Sequence, residues 1–514
     1  MTRHFDILVI GGGSAGCVVA SRLSEDPSCT VGLLEAGHTA ADPDIADPLK
    51  WTALQGRIYD KDYRTEPQPF TANRVHSWAR GRLLGGSICI NAMAHVRGHP
   101  DDFDSWAEAG GTRWSYEGLL DGFRRSEDFS GPLTPARGKG GPLPVYLPDA
   151  EVSPVVRAYM AAGEVLGVPR LADHNGHELA GVSPNSLNIR DGRRVTVADA
   201  YLTPDVLSRP NLSLLLGCEV EQLTFDGQRA TGVLAVQGNE TVVLRADRIV
   251  LCAGAIDTPL LLMRSGIGER SVLANAGIDC RHALPSVGRN LQDHMLALGN
   301  VYAARKPVPP SQLQHSESLM YLHSDDITRA RGAPDIVLAC VVAPSVTNQF
   351  TAPAYGSAYT ILCGVTHPTS RGSITPTGPG RTDPPLIDPH CNETEHDRVT
   401  FRKALKTARL VGHHAALDAW RDHEFLPGDG VSSDDDLDAF IARSASTHHH
   451  PAGTCRMGTG GDAVVDAELA VHGVPGLNVV DASVFPSLTT GPIHAAVIAV
   501  AETWCDMTRN GKVN

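Results

Sequence analysis

The chain has 514 residues and a formal net charge of −14. Hydrophobic residues make up 42% of it and charged residues 20%, a balance typical of a globular protein long enough for two or three domains. The negative charge disfavours nucleic acid and anionic membranes as partners, because their phosphates would be repelled. We therefore expect a small-molecule substrate, and a monomer or small homo-oligomer with no nucleic-acid or membrane partner.

The cysteines and the start of the chain indicate a compartment. Eleven cysteines are scattered from Cys17 to Cys505 without a Cys-x-x-Cys pair, which argues against a disulfide framework and a zinc site. The first residues lead directly into an apolar run and lack the features of a signal peptide. No apolar run approaches the ~20 residues of a membrane helix. We expect a cytoplasmic protein.

The first 35 residues have the pattern of a βαβ unit. Residues 5–10 and 31–34 are short apolar runs typical of buried parallel strands, and residues 15–23 have helical spacing. The turn between the first strand and the helix is Gly11-Gly12-Gly13-Ser14-Ala15-Gly16, a Gly-x-Gly-x-x-Gly sequence. Its first glycine permits a tight turn, the second lets backbone approach a pyrophosphate, and the third lets helix and strand pack closely.

An acidic residue follows in the position that a dinucleotide site requires. Glu35 ends the second strand, where its carboxylate can accept hydrogen bonds from ribose hydroxyls. A glycine turn without a ligand is the alternative, and the register of strand, helix and Glu35 disfavours it. Glu35 also disfavours NADP, whose 2′-phosphate prefers arginine. FAD and NAD both remain open on these residues alone.

The rest of the chain predicts a second, inserted domain. Residues 37–86 have no clear periodicity and are interpreted as a covering segment over the nucleotide site. The apolar runs at 212–216, 233–236, 241–244 and 248–251 are expected to be strands that return to the nucleotide domain. Between 301 and 425, short strands such as 336–339 and 359–362 alternate with Pro/Gly/Thr turns, which favours an antiparallel sheet. Residues 493–508 predict a long apolar helix.

The predicted fold class is α/β, with a discontinuous Rossmann-like dinucleotide-binding domain and an inserted substrate domain built on an antiparallel sheet. The nucleotide domain is expected in residues 1–150, which include the covering segment 37–86, and in residues 211–300 and 461–514. The substrate domain is expected in residues 151–210 and 301–460.

Four further stretches resemble the signatures of one family, the glucose-methanol-choline (GMC) oxidoreductases. They follow in the family's order along the whole chain: residues 85–93 (GGSICINAM), 254–268 (GAIDTPLLLMRSGIG), 287–294 (VGRNLQDH), and 450–458 (HPAGTCRMG) with 480–483 (VDAS). The resemblance implies FAD rather than NAD as the cofactor. It also implies hydride removal from the carbinol carbon of an alcohol.

The resemblance assigns residues to the cofactor. Small residues at 85–87 would let the loop approach a flat ring, Val220 would meet the adenine, and Asp481 would border the phosphates, with a helix or turn cap as its alternative role. Some family members attach flavin covalently through a histidine just before the position of Asn91; Ile90 stands there, so we expect non-covalent FAD. The implied cofactor-binding residues are Gly11, Gly13, Ser14, Ala15, Gly16, Glu35, Ala36, Gly85, Gly86, Ser87, Asn91, Ala92, Met93, Val220, Ala253, Asp481, Ala482, Pro492 and Ile493.

A histidine run precedes the last family signature. Pro451 favours an extended backbone at His450, so His448 and His450 are expected to face one way and His449 the other. A metal patch is the alternative. Alternate facing removes one ligand and no carboxylate adjoins the run in sequence, so we expect no metal.

The resemblance places the catalytic base at His450, whose neutral imidazole would take the hydroxyl proton. The family's second catalytic position, usually histidine or asparagine, is Pro492 here, and proline offers no side-chain donor or acceptor. His448 is the expected replacement, and His494 is a rival that is expected to face the start of the last helix. The expected activity is oxidation of a primary alcohol with O₂ as acceptor, giving H₂O₂. A choline-dehydrogenase-like or aryl-alcohol enzyme and a catalytically silent flavin-binding protein are the alternatives.

Overall fold

The computed structural model describes residues 3–148, 150–509 and 511. Seven strands form what we call the first sheet, which contains the predicted βαβ unit. In spatial order its strands are Leu212–Leu216, Val31–Glu35, Arg3–Ile10, Glu240–Leu251, Arg229–Gln237 and Cys218–Asp226, with Leu477–Val479 also paired to Glu240–Leu251. Helix Ser14–Leu23 connects the first two parallel strands, as predicted.

One long strand replaces two predicted ones. Residues 241–244 and 248–251 belong to the continuous strand Glu240–Leu251, so the expected break between them is wrong. The strand stays unbroken because its beginning pairs with Arg229–Gln237 in antiparallel fashion and its end pairs with Leu477–Val479 in parallel. Its other edge pairs with Arg3–Ile10 from Leu244 onward, so backbone hydrogen bonding continues through the polar residues between the two halves.

A second sheet of seven strands is antiparallel throughout. Its main path is Ser316–Leu322, Ile336–Val341, Ala358–Val365, Met295–Ala297 and Ala445–Thr447, and Val301–Ala304 joins Ala358–Val365 to Arg421–Leu426. The prediction of an α/β fold with an antiparallel second sheet is confirmed. This sheet already begins at Met295, ahead of the boundary predicted at residue 301.

The two faces of the second sheet pack against different parts of the molecule, because side chains alternate between the faces along a strand. Met320, Leu338 and Cys363 lie in one core with helices Pro154–Val165 and Glu395–Gly412. Their neighbours on the opposite face form a smaller apolar cluster: Val96, Leu179, Leu296, Leu319, Tyr321, Val337, Ala339 and Leu362. That face looks toward the first sheet.

The remaining elements pack around these sheets. The other helices are Trp51–Leu54, Pro100–Gly110, Tyr116–Ser126, Val197–Tyr201, Pro204–Leu207, Gly254–Arg264, Arg270–Asn275, Asp434–Ser444 and His494–Arg509, with 3₁₀ turns at Pro43–Ala46, Pro48–Lys50, Pro69–Thr71, Gly86–Cys89, Thr112–Trp114, Ala415–Leu417 and Ala482–Val484. The short strands are Tyr63–Arg64, Ser77–Trp78, Glu127–Phe129, Leu143–Val145, Gly181–Pro184, Ile189–Arg190, Arg193–Arg194, Ile267–Gly268, His282–Ala283, Ser373–Thr375 and Leu386–Asp388. Within the described ranges, no helix combines the length and apolar character needed to cross a bilayer.

The last helix, His494–Arg509, is anchored at a buried carboxylate and agrees with the prediction to within one residue at each end. Glu502 is fully buried, and it accepts hydrogen bonds from Arg22 at 2.8 Å and from the Tyr201 hydroxyl at 2.7 Å. Arg125 lies 3.1 Å from the same carboxylate. The middle of this helix is thereby held against the first helix of the βαβ unit, which carries Arg22.

Two glycines let the turn, the first helix and the long strand pass one another in backbone contact. A Cβ at Gly16 would lie 1.9 Å from the Gly11 carbonyl oxygen, and a Cβ at Gly11 would lie 2.6 Å from the Cys252 carbonyl oxygen. Gly11 also has φ of +103°, a conformation that favours glycine. The packing role predicted for the third glycine of the motif is therefore seen in the structure.

We expect Gly16→Ala to destabilise the protein by about 3 kcal/mol or more, because the added methyl group overlaps backbone that cannot yield without moving the turn. Thermal denaturation and the FAD content of the purified variant measure this effect. Gly430→Ala is the matched control, since a Cβ there meets nothing within 4 Å. Equal melting temperatures for the two variants would contradict the close approach.

Candidate active site

A cavity of about 770 Å³ lies at the carboxyl ends of the parallel strands, between the two sheets. Ile10, Glu35 and Ala253 mark the strand ends at its floor, and apolar residues of the second sheet form the opposite wall. Ligands of open α/β sheets bind outside the carboxyl ends of the strands. The covering segment 37–86 contributes Trp51, Gln55, Lys61 and residues 79–82 to the wall.

Nearly all of the predicted site residues line this one cavity. They are Gly11, Gly13, Ser14, Ala15, Glu35, Ala36, Gly86, Ser87, Asn91, Ala92, Met93, Val220, Ala253, His448, His450, Asp481, Ala482, Pro492 and Ile493. Gly16 and Gly85 lie just behind it. Gly16 packs against Gly11, and the Gly85 amide donates to the Gly12 carbonyl at 2.7 Å.

The floor fits the phosphates of a dinucleotide. Helix Ser14–Leu23 points its start into the cavity and has neither a capping side chain nor an acidic residue in its first turn. Its first amide groups are therefore available to an anion. A Cβ at Gly86 would lie 2.7 Å from the Gly13 Cα, so these two backbones touch and leave the space beside them free of side chains.

Glu35 fits the ribose end of the same ligand. Its two oxygens accept hydrogen bonds from the Gly12 and Gly37 amides, each at 2.8 Å, which fixes the carboxylate at the end of its strand. Burial raises the pKa of Glu35, and the two amide donors oppose that rise. Each carboxylate oxygen retains a lone pair that a ribose hydroxyl can use.

Arg194 supports the loop at 85–93 and was not predicted from the sequence. This buried guanidinium donates to the carbonyl oxygens of Ile88 and Asn91, both at 2.7 Å. The Asn91 side-chain oxygen accepts from the Met93 amide at 2.9 Å, which leaves the Asn91 amide group for a ligand. Because Arg194 lies more than 100 residues away in sequence, no local pattern connects it to this loop.

The Asp481 side chain acts as a helix cap, which is the alternative role that the sequence left open. Its carboxylate accepts from the Gly254 amide at 2.8 Å, the Thr258 hydroxyl at 2.6 Å and the Ser483 amide at 2.8 Å. The side chain thus caps two helical starts, and any contact between Asp481 and a phosphate falls to its backbone. Val220 lines the cavity near the start of strand Cys218–Asp226.

The histidine run is not the extended segment that the sequence predicted. The strand ends at Thr447, and His449 adopts the left-handed conformation with φ of +61°. The Thr447 hydroxyl accepts from the His449 amide at 2.8 Å, and Arg80 donates to the His449 carbonyl at 2.5 Å. These contacts turn the chain, yet the rings of His448 and His450 still lie together, with their centroids 4.3 Å apart.

The VGRNLQDH stretch, residues 287–294, holds these histidines in place. The Asp293 carboxylate accepts from the His450 amide at 2.8 Å and also from the Thr447 hydroxyl. Nδ1 of His294 lies 2.9 Å from Nδ1 of His450, and Nε2 of His294 lies 2.9 Å from the Thr366 carbonyl oxygen. The sequence identified this stretch as a family signature but gave neither residue a role.

The prediction of no metal site assumed that only His448 and His450 face the same way as possible ligands, and this assumption is wrong. Ring nitrogens of His294, His448 and His450 all lie within 4.8 Å of one another, so a third histidine from a distant segment joins the pair. The Asp293 carboxylate also adjoins them, although it is occupied by its own hydrogen bonds. A metal ion at this position would have to break the contact between His294 and His450.

The three imidazoles are neutral at neutral pH. Burial lowers the pKa of His448 and of His294 to about 3, and it lowers the pKa of His450 well below its usual range, with the neighbouring histidines adding to the effect. The positive charge of Arg80 also disfavours protonation of His450 and lowers its pKa further. A neutral imidazole at the cavity wall is able to accept a proton from a hydroxyl group.

Pro492 lines the cavity and presents no polar group, as the sequence implied. The rival residue, His494, begins the last helix. Both of its ring nitrogens are buried and have no hydrogen-bond partner among the described residues. His494 also lines the cavity, but its buried nitrogens are less accessible to a substrate oxygen than those of His448.

Comparison with known proteins gives the family. GMC oxidoreductase models match residues 5–296 and 368–501. The chain is 51% identical to pyridoxine 4-oxidase of Microbacterium luteolum, covering 98% of the chain and 99% of that protein. It is 36% identical to an oxygen-dependent choline dehydrogenase of Escherichia coli, with 98% and 96% covered. The crystal structure of pyridoxine 4-oxidase from Mesorbium loti superposes with a TM-score of 0.97, at 54% identity over 98% of this chain and 99% of that one.

The chain therefore belongs to the GMC oxidoreductase family. It is an FAD-dependent alcohol oxidoreductase, and the predictions of family, fold class and cofactor are confirmed. The cavity accounts for this chemistry with an open helix start for the phosphates, a carboxylate for the ribose, and two neutral histidines on the opposite side.

We expect acid precipitation of the purified protein to release FAD into the supernatant. Ile90 is a buried hydrocarbon side chain at the position where a histidine would form a covalent link, and it offers no nucleophile. Absorbance spectra of the supernatant and of the dissolved pellet measure the partition. Flavin that stays with the denatured chain would contradict the expected non-covalent binding.

We expect His450→Ala to lower kcat by about 10²-fold or more, the usual cost of losing a general base, while FAD stays bound. Steady-state turnover and the flavin-to-protein ratio measure the two effects separately. His448→Ala is the matched comparison on the adjacent ring. Near-normal turnover of His450→Ala would move the base to His448, and loss of FAD would make His450 a structural residue.

Proposed function

We propose that this enzyme is a pyridoxine 4-oxidase. It would oxidise the 4-hydroxymethyl group of pyridoxine to the aldehyde of pyridoxal while O₂ is reduced to H₂O₂. The observation that carries this proposal is the pair of adjacent neutral histidines, His448 and His450, in a cavity that has a proline at the second catalytic position. Likeness to two pyridoxine 4-oxidases along nearly the whole chain supports it.

The chain supplies the base and the orientation. FAD held at the start of helix Ser14–Leu23 and by Glu35 would supply the hydride acceptor for the carbinol carbon and the route of the electrons to O₂. His450 takes the hydroxyl proton, and its low pKa keeps it unprotonated and ready near neutral pH. The backbone of His450 is fixed by the Asp293 carboxylate, so the ring approaches the substrate from a constant position.

His448 takes the place of the missing second polar group. Its backbone amide donates to the His294 carbonyl at 2.8 Å, and its ring lies beside that of His450. Both polar contacts to the substrate oxygen then come from one segment, since Pro492 offers none. A substrate held by one segment needs further orientation from its own shape.

The wall formed by the second sheet suits a flat heteroaromatic ring. Leu296, Val337 and Leu362 present an apolar surface to the cavity, and Ser316 and Ser345 add hydroxyl groups to the same wall. Ring substituents could hydrogen-bond to these groups while the ring packs on the wall. A small flexible alcohol has little surface to place there.

The distribution of acidic residues disfavours a quaternary ammonium substrate such as choline. Among the described residues that line the cavity, the carboxylates are Glu35, Glu219, Asp257 and Asp481. All four lie in segments of the nucleotide-binding part, and Glu35 and Asp481 are occupied by backbone amides. A cationic head group against the second sheet would therefore lack a compensating charge.

We also propose the division of labour expected from the sequence. Residues 1–150, 211–300 and 461–514 bind FAD, and residues 151–210 and 301–460 shape the substrate site, with the second sheet starting at Met295. The negative net charge supports a diffusible small-molecule substrate in the cytoplasm rather than a nucleic-acid or membrane partner. We expect a monomer or small homo-oligomer.

We expect pyridoxine to be oxidised with a higher kcat/KM than choline, benzyl alcohol or glucose, with one H₂O₂ formed per aldehyde. The apolar wall and its neighbouring polar groups supply the orientation that only the substituted ring can use. Parallel measurement of aldehyde and peroxide over this panel tests both the substrate and the acceptor. If choline or an aliphatic alcohol clearly exceeded pyridoxine, the substrate assignment would fail while the family would stand.

A further inference from the structure

We propose that His294 fixes the tautomer of His450, so that the free lone pair of His450 is always on Nε2. His294 would then be a positioning residue for the catalytic base. The inference rests on the proposed role of His450. It follows from the contacts of the two His294 nitrogens, of which only one can donate when the ring is neutral.

The first contact decides which nitrogen of His294 carries the proton. Nε2 of His294 lies 2.9 Å from the Thr366 carbonyl oxygen. A carbonyl oxygen only accepts hydrogen bonds, so Nε2 must be the donor. Burial keeps the pKa of His294 near 3, and the ring therefore holds a single proton at neutral pH, on Nε2.

The second contact determines which nitrogen of His450 carries the proton. With its proton on Nε2, His294 presents a lone pair at Nδ1, which lies 2.9 Å from Nδ1 of His450. The His450 nitrogen must then be protonated and donate. The rings are nearly perpendicular, at 86°, with their centroids 5.2 Å apart. Nε2 of His450 is left unprotonated and has no hydrogen-bond partner among the described residues.

The same contact limits rotation of the His450 ring. Asp293 holds the backbone amide of His450, and the next residue in sequence, His294, holds its side chain. His294 also accepts the His448 amide through its carbonyl oxygen at 2.8 Å. Consecutive residues of the 287–294 stretch thus fix the backbone, the ring rotation and the proton position of the base.

The group that accepts the hydrogen bond from His450 is the neutral imidazole of His294, and its neutrality affects the pKa of His450. A carboxylate in this place would favour the imidazolium and raise the pKa of His450. A neutral imidazole orients the ring without adding that charge, so His450 stays unprotonated. When Nε2 receives the substrate proton, the bond from Nδ1 becomes charge-assisted and strengthens.

Two substitutions at His294 separate this role from a structural one. In His294→Asn the side-chain oxygen lies about as far from the backbone as Nδ1 and can still accept from His450, but it does not reach Thr366. In His294→Gln the amide group reaches toward the Thr366 carbonyl, but no acceptor remains at the Nδ1 position. The two variants therefore keep opposite halves of the network.

We expect His294→Gln to lower kcat by about 10²- to 10⁴-fold, the range for a general base lost or held in the wrong tautomer. His294→Asn should stay within roughly tenfold of the parent, since it retains the orienting acceptor. KM and the flavin-to-protein ratio should change little in either variant. The alcohol that the parent oxidises fastest is used, so the result does not depend on pyridoxine.

The opposite order of the variants, or equal losses in both, would overturn the assignment, and so would a Gln variant as active as the parent. A measurement on the unmodified enzyme covers the case in which a variant does not fold. Nitrogen-15 NMR of histidine-labelled enzyme should show His450, identified by its absence in His450→Ala, with a protonated Nδ1 and a bare Nε2. The reverse pattern would refute the proposal. Because no substrate is present, this spectrum separates its failure from failure of the proposed function.

Discussion

The structure depends on the contact of three backbone segments where no side chain can intervene. The turn at Gly11, the first helix at Gly16 and the loop at Gly86 approach so closely that a single methyl group would overlap backbone. This contact sets the distance between the helix start, where an anion binds, and the loop that carries Asn91. The position of the cavity relative to the first sheet follows from it.

The opposite side of the cavity is positioned by hydrogen bonds between distant segments. Asp293 and His294 end the 287–294 stretch, and they bind residues 447–450 through backbone and side-chain atoms. Arg80, from the covering segment, closes the arrangement by donating to the His449 carbonyl. The base is therefore held from two other parts of the chain, which explains how a left-handed residue such as His449 is tolerated between two functional ones.

Much of the fold could be predicted because its signals are local. Residues 5–10 and 212–216 were recognised as strands from their apolar runs, and the glycine turn with Glu35 identified the dinucleotide site. The continuous strand Glu240–Leu251 was missed, because its polar middle is paired on both edges by strands from elsewhere in the chain. Local patterns do not contain that information.

The candidate site was predictable in part for the same reason. The adjacency of His448 and His450 was expected, but the reason given for it was wrong, since the turn at His449 depends on Thr447 and Arg80. Arg194 and His294 act on residues far away in sequence, and no spacing rule relates them to their partners. The family signature marked His294 without indicating what it touches.

Strands Met295–Ala297 and Ala445–Thr447 pair with each other, and this pairing divides the histidine site from the long segment of chain that connects the two strands. These strands are antiparallel neighbours, so the ends of the segment 298–444 are clamped side by side immediately next to His294 and His448. Leu319, Val337 and Leu362 of the apolar wall lie within that segment, and Leu296 of the same wall lies in the first of the two paired strands. Substitutions within residues 298–444 can therefore change the shape of the pocket while the two ends of this segment stay in place. The alcohol specificity of the enzyme can then change without any change in the histidines that position and accept the proton.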